Sequence, residues 1–338
     1  MIRWHRSHLP VLAVIVSASA CLTYDYVTRV ERPFTAERLA LHRQILRGDA
    51  PSPYNDRVLV PWVTEAGARL AAATGAVTYD AAWTLAYAVY DFLAITFFLV
   101  GLFCFASNWH PAEKALVGVL FCAALLPISL RDHYFQPWSL LEAGLFCLAY
   151  ELALERRFAL MGLVTAAASL NRETGIYLPV LYLLGIIEFR WIANRNYREL
   201  IAGISRSAFL FLISLSILWL LRHSRGQGPP LSTIDEILRI NTSPRGLILA
   251  AVQWSLFLGA GWVLALQGIR YADEFLCRQL LIIPLYLAPV LIFGIWKEVR
   301  LLLPLYPLFT ALLLYRIDPD GAAPIQGQSV AREPHRAG

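Results

Sequence analysis

The chain has 338 residues, 58% of them hydrophobic and 16% charged, with a mean hydropathy of +0.54. That composition excludes a soluble globular domain and describes a polytopic membrane protein. The net charge of +5 is read through where the arginines fall, because basic residues collect in short cytoplasmic loops; it gives no reason to expect nucleic acid as a partner.

Arg3 and Arg6 precede a first apolar run over residues 9–24, which puts the N-terminus in the cytoplasm and the next loop outside. Ala18-Ser19-Ala20 suits signal peptidase and Cys21 sits where a lipoprotein cysteine would, but an uncleaved anchor is the preferred reading. The loop that follows, residues 25–78, carries the longest polar stretch of the chain. It holds an amphipathic piece from Thr35 to Arg47, breaks at Gly48-Asp49-Ala50-Pro51-Ser52-Pro53, and resumes at Tyr54-Asn55-Asp56-Arg57.

Further apolar runs at 79–106, 114–130, 138–154, 158–170, 175–188, 200–221, 246–267, 279–295 and 301–316 complete an all-α bundle of about ten spans, each near the roughly 20 residues that cross a bilayer. The loops assigned inside hold Lys114, Arg156, Arg157, Arg190, Arg195, Arg198, Arg270 and Arg278, with Arg316 opening the tail. Both termini therefore face the cytoplasm. Residues 1–316 form the transmembrane domain, and 317–338, rich in Pro, Gly and Gln, read as a disordered cytoplasmic tail.

Charged clusters gather on the opposite face: Arg131-Asp132-His133-Tyr134, Asn171-Arg172-Glu173-Thr174, the loop over 222–245, and Trp296-Lys297-Glu298-Val299-Arg300. A guanidinium binds phosphate oxygens bidentately, and a carboxylate takes a proton from an incoming hydroxyl. Ordinary helix-end ion pairing explains any one cluster equally well. Asp91 lies deep in its span, either a functional group or a hydrogen bond between helices, and Glu142 sits a turn below Trp138. The five cysteines show neither metal spacing nor a disulfide framework, and Asn241-Thr242-Ser243 is a formal glycosylation sequon.

Gly48 with Pro53-Tyr54, Arg57, Leu59 and Pro61 resembles the "G..PY..R.L.P" pattern in the first outer loop of the GT-C superfamily of integral-membrane glycosyltransferases. Asn171-Arg172-Glu173-Thr174 is similar to that superfamily's "RE" loop, and residues 298–307 to its "E.R...P..P" last-span motif. The resemblance implies a GT-C-like fold and transfer of a sugar from a polyprenyl-phosphate donor to a glycan, lipid or protein acceptor. Transfer would take place on the extracytoplasmic face of a membrane, with the bacterial inner membrane as the expected location.

It also implies an acidic base in the first outer loop, where Asp25 directly follows the first span and Asp56 is the runner-up. Asp25 reads equally well as a carboxylate that ends a helix, and Asp56 as an ion pair with Arg57. Tyr54, Arg57, Asp132, His133, Arg172, Glu173, Lys297, Glu298 and Arg300 are the expected substrate-binding residues. No cofactor is required by the pattern; a divalent metal stays open, because the loop lacks the paired Asp-x-Asp of some members. A non-catalytic scaffold of the same fold is the alternative, and a transporter stands behind it, since no internal repeat or matched pair of broken spans is visible.

Overall fold

The computed structural model describes residues 9–131, 135–188, 197–226, 228–259 and 261–317. Among them the chain is helical throughout, with no strand and one isolated bridge between Ser52 and Pro230. The expected tail over 317–338, apart from Ile317, which ends the last helix, and the arginines at 190 and 195 lie outside the described residues.

The first apolar run forms α1 (Leu9–Tyr26), and it does not end in a free loop. A π turn (Val27–Glu31) and a 3₁₀ turn (Arg32–Phe34) carry it into α2 (Thr35–Arg47), so that 39 residues run as one helical stretch. The buried residues of α2 are Arg38, Leu41, His42 and Ile45, the three-to-four spacing of one helix face. Inside the expected outer loop there is also α3 (Leu59–Ala73), which lays Val60, Thr64, Glu65 and Ala68 inward and packs on α4 (Tyr79–Ala106). α4 starts where the sequence predicts, capped by the Thr78 hydroxyl.

The bundle continues with α5 (Ala112–Leu130), α6 (Trp138–Leu154), α7 (Phe158–Asn171), α8 (Tyr177–Ile186) and α9 (Tyr197–Arg225). A short α10 (Ile234–Thr242) occupies what reads as a loop. It is followed by α11 (Pro244–Leu258) and α12 (Gly261–Gly268), then α13 (Glu274–Gln279), α14 (Ile282–Phe293), a 3₁₀ stretch (Val299–Leu305) and α15 (Tyr306–Ile317). The single span expected over 246–267 is thus two helices, bent by 60°.

Among the described residues six helical stretches are long and apolar enough to cross a membrane, or seven if the bent pair counts as one. The other three expected spans, α6, α7 and α8, have 17, 14 and 10 residues. At 1.5 Å per residue even the longest reaches only about 25 Å, against a hydrocarbon core of about 30 Å. Protein rather than lipid surrounds α6: every residue except Leu141, Leu148 and Leu154 is buried. One apolar core joins α1, α4, α5 and α15, a second joins α6, α7, α8 and α14, and a third seats α2 and α3 on Trp83, Tyr87, Phe135 and Trp138.

Candidate functional site

Three arginines from distant parts of the chain meet at the end of the bundle where α6 begins and α7 ends. Arg57 leaves the short turn Tyr54–Asp56 and grips Glu173 with two N–H groups, Nε donating to Oε2 at 3.0 Å and Nη2 to Oε1. Its guanidinium lies 5.3 Å from the Trp138 ring centre and 5.9 Å from that of Tyr54. The Tyr54 hydroxyl accepts from Gln136, whose side-chain oxygen accepts the Trp138 indole N–H at 2.8 Å. The backbone is joined here too, since the Val58 amide donates to the Leu170 carbonyl at 3.1 Å.

Arg172 sits at the break between α7 and α8, in extended backbone with φ −164° and ψ 150°. Gly175 makes that break possible: a Cβ there would lie 2.6 Å from the Ser169 amide nitrogen, so no larger residue lets the turn fold back. The turn points Arg172 inward, where Nη1 donates to Glu142 Oε2 at 2.6 Å, while the Thr174 hydroxyl donates to the other Glu142 oxygen. Arg300, 4% exposed on the 3₁₀ stretch, donates to Glu298 at 2.7 Å. Its electrostatic neighbours include Arg172, Tyr54 and Tyr26. Nε and Nη1 of Arg300 and Nε of Arg172 are buried without a hydrogen-bond partner among the described residues. Unpaired guanidinium donors in a buried setting are costly, and they are the donors that an anion would satisfy. The side chain of the half-buried Lys297 also has no hydrogen-bond or ion-pair partner among the described residues.

A second polar layer lies behind this one. Glu31 and Arg38 form a buried ion pair, with Arg38 between the rings of Trp83, Tyr87 and Phe135. Asp91 is fully buried beside them, with neither carboxyl oxygen hydrogen-bonded among the described residues. Tyr26 is within electrostatic reach of Glu31, Asp91, Arg38 and Arg300, and so joins the two layers. Outward from Tyr87, His42 Nδ1 meets the Tyr87 hydroxyl at 2.9 Å and His42 Nε2 meets Glu65 at 3.1 Å, while the Tyr79 hydroxyl donates to Glu65 at 2.6 Å. Burial pushes the Glu65 carboxyl up, but hydrogen bonds from Tyr79, His42 and Arg69 outweigh it and hold the group below the usual carboxylate range.

The arrangement gathers Tyr54, Arg57, Arg172, Glu173, Glu298 and Arg300 as the sequence predicts, but it separates the two expected bases from them. Asp25 lies one residue from the inward-facing Tyr26, about 100° around the helix, and pairs with the exposed Arg29 at 2.9 Å. Asp56 turns away toward Arg222, at 3.3 Å. Asp132 and His133 lie outside the described residues. Glu31, Arg38, His42, Glu65 and Gln136 are additions. Only Arg38 and His42 carried a signal, their spacing with Leu41 and Ile45 on one face of α2, and a reading by hydrophobicity assigns those two to solvent. Among the described residues no group of three or more His, Cys, Asp or Glu could hold a metal ion.

No family model matches the chain, and neither the curated proteins nor the solved structures contain a match.

Proposed function

We propose that the chain is a membrane glycosyltransferase of the GT-C type, taking a sugar from a polyprenyl-phosphate donor on the extracytoplasmic face and passing it to a glycan, lipid or protein acceptor with inversion. The observation that carries this reading is the convergence of Arg57, Arg172 and Arg300 with unpaired donors left on two of them. In this reading the free N–H groups of Arg300 and Arg172, with Lys297, take the donor phosphate. They stabilise it further as negative charge develops on departure. Arg57 and Glu173 hold the Tyr54 turn against α7. α6, α7 and α8 complete ten crossings inside a protein shell, and both ends of the chain lie in the cytoplasm.

For the proton released by the acceptor hydroxyl, five carboxylates lie between Tyr24 and α3: Asp25 in the last turn of α1, then Glu31, Glu37, Asp49 and Asp56, of which Glu37 and Asp49 are exposed. Asp25 and Asp56 neutralise exposed arginines. Glu31 faces inward, 2% exposed and paired with the buried Arg38, so in this reading it is the base in place of Asp25. Purified protein in proteoliposomes with polyprenyl-phosphate sugar and native acceptor membranes tests this. Glu31→Gln lowers turnover by about 10²-fold with donor binding retained, and Asp25→Asn stays within about twofold. The reverse pattern returns the base to Asp25, and no effect from either variant favours the scaffold reading, in which Glu142, Glu173 and Glu298 serve only to neutralise the arginines.

A further inference from the structure

Asn241 is the one buried residue of α10, 1% exposed, and both ends of its amide are engaged. Nδ2 donates to the Gly294 carbonyl at 2.8 Å, and Oδ1 accepts the Trp296 amide N–H at 2.9 Å. Trp254 of α11 adds its indole N–H to the Trp296 carbonyl at 2.6 Å. The backbone that leads directly into Lys297, Glu298 and Arg300 is therefore held from α10 and α11 as well as from α14, to which the Gly294 amide and the Trp296 indole donate. With its nitrogen donating in a buried bond, Asn241 is not presented as a glycan acceptor, which answers the sequon.

The helices that do the holding are themselves fixed. Thr233 and Glu236 form a reciprocal capping box at the start of α10. At the corner into α11, a Cβ on Gly246 would lie 1.9 Å from the Ile240 carbonyl oxygen, so the two helices meet at a separation only glycine permits. Along the face that ends in Asn241, the N-terminal part of α10 is exposed: Ile234 and Leu238, one turn apart, are 49% and 40% exposed, and Asp235, Glu236 and Arg239 lie on the opposite side. α10 joins two apolar helices at the end of the bundle where the arginines meet. A short helix with an unpartnered apolar face and a charged opposite face, set there in a membrane-crossing chain, matches the character of helices that lie in the headgroup boundary.

We infer that α10 is an interfacial helix whose Ile234–Leu238 face enters the lipid surface, and that Asn241 is the positioning residue through which it sets the Lys297–Arg300 segment at headgroup depth. The inference rests on the reading of Arg300 as a donor-phosphate ligand. It is tested on the full chain in proteoliposomes with two readouts: modification of a Lys297→Cys reporter by an impermeant maleimide, which needs no activity, and KM against kcat with polyprenyl-phosphate sugar. Losing both buried hydrogen bonds in Asn241→Leu raises KM about 10-fold with kcat within about twofold, and accelerates the reporter several-fold. Asn241→Asp keeps the bond from the Trp296 amide, folds where the Leu variant fails, and falls between. Ile234→Asp with Leu238→Asp, which leaves Asn241 in place, raises KM in the same direction. An unchanged reporter rate in folded Asn241→Leu or Asn241→Asp protein overturns the positioning role whatever the enzyme does. A changed rate with unchanged KM overturns the link to the donor, and an unchanged KM in the double Asp variant overturns the interfacial role.

Discussion

Arg278 and Arg300 are both buried, 7% and 4% exposed, at opposite ends of the bundle, and they are treated in opposite ways. Arg278 spends every nitrogen: Nε donates to the Leu184 carbonyl at 3.1 Å, Nη2 to Gly185 at 3.2 Å, and Nη1 to Glu274 at 2.6 Å. Around it Trp109 donates to Asp273 and Asn108 to Glu151, so the charges there close helix ends on one another. Arg300 bonds only Glu298 and leaves two nitrogens bare. The same residue type is a structural clamp where its donors are consumed and, in the proposed reading, a ligand site where they are not. Counting arginines cannot tell the two apart, whereas counting their unspent donors can.

The comparison predicts its largest effect on stability. Arg278→Met leaves two carbonyls without donors and should cost about 2–4 kcal/mol. Arg300→Met strands the partly exposed Glu298 but also removes a buried charge with two unbonded nitrogens, and should cost less, about 1 kcal/mol. Thermal unfolding of the two purified variants, side by side, checks this; equal losses would break the distinction. A smaller effect is expected at Glu142, which neutralises Arg172 and also accepts from Thr174. Glu142→Gln should lower stability by about 2 kcal/mol in the same assay, because it leaves a second guanidinium uncompensated. A neutral result there would mean that Arg172, too, has solvent or another partner to turn to.

Much of this fold was legible because bilayer length and hydropathy leave little freedom. α4 and α6 begin and end where the apolar runs do, and the amphipathic reading of 35–47 coincides with α2. The break at Gly259 was not legible, since its neighbours are as apolar as those of an intact span and only the backbone, with φ +47°, records the turn. α3 and α10 were missed for a related reason: each is a short helix inside a polar loop, and neither has the length that marks a span. At the site, Arg57, Arg172 and Arg300 were recognisable by motif, which specifies residue and spacing. The inward direction of Glu31 and the outward one of Asp25 were not, because six residues along a helix that passes through a π turn do not keep the 3.6-residue phase. His42 and Glu65 were hidden by their polarity. Their burial depends on each other and on Tyr87 and Tyr79, pairings across helices that no local pattern encodes.

The central claim is that unspent donors on Arg300 mark a phosphate site, and polyprenyl-phosphate binding to purified protein in detergent tests it without any acceptor. Arg300→Lys keeps the charge but loses the planar fork, and should weaken binding about 10-fold. Arg278→Lys, in whatever fraction folds, should bind as the unmodified protein does. Equal affinities in all three proteins would contradict the claim.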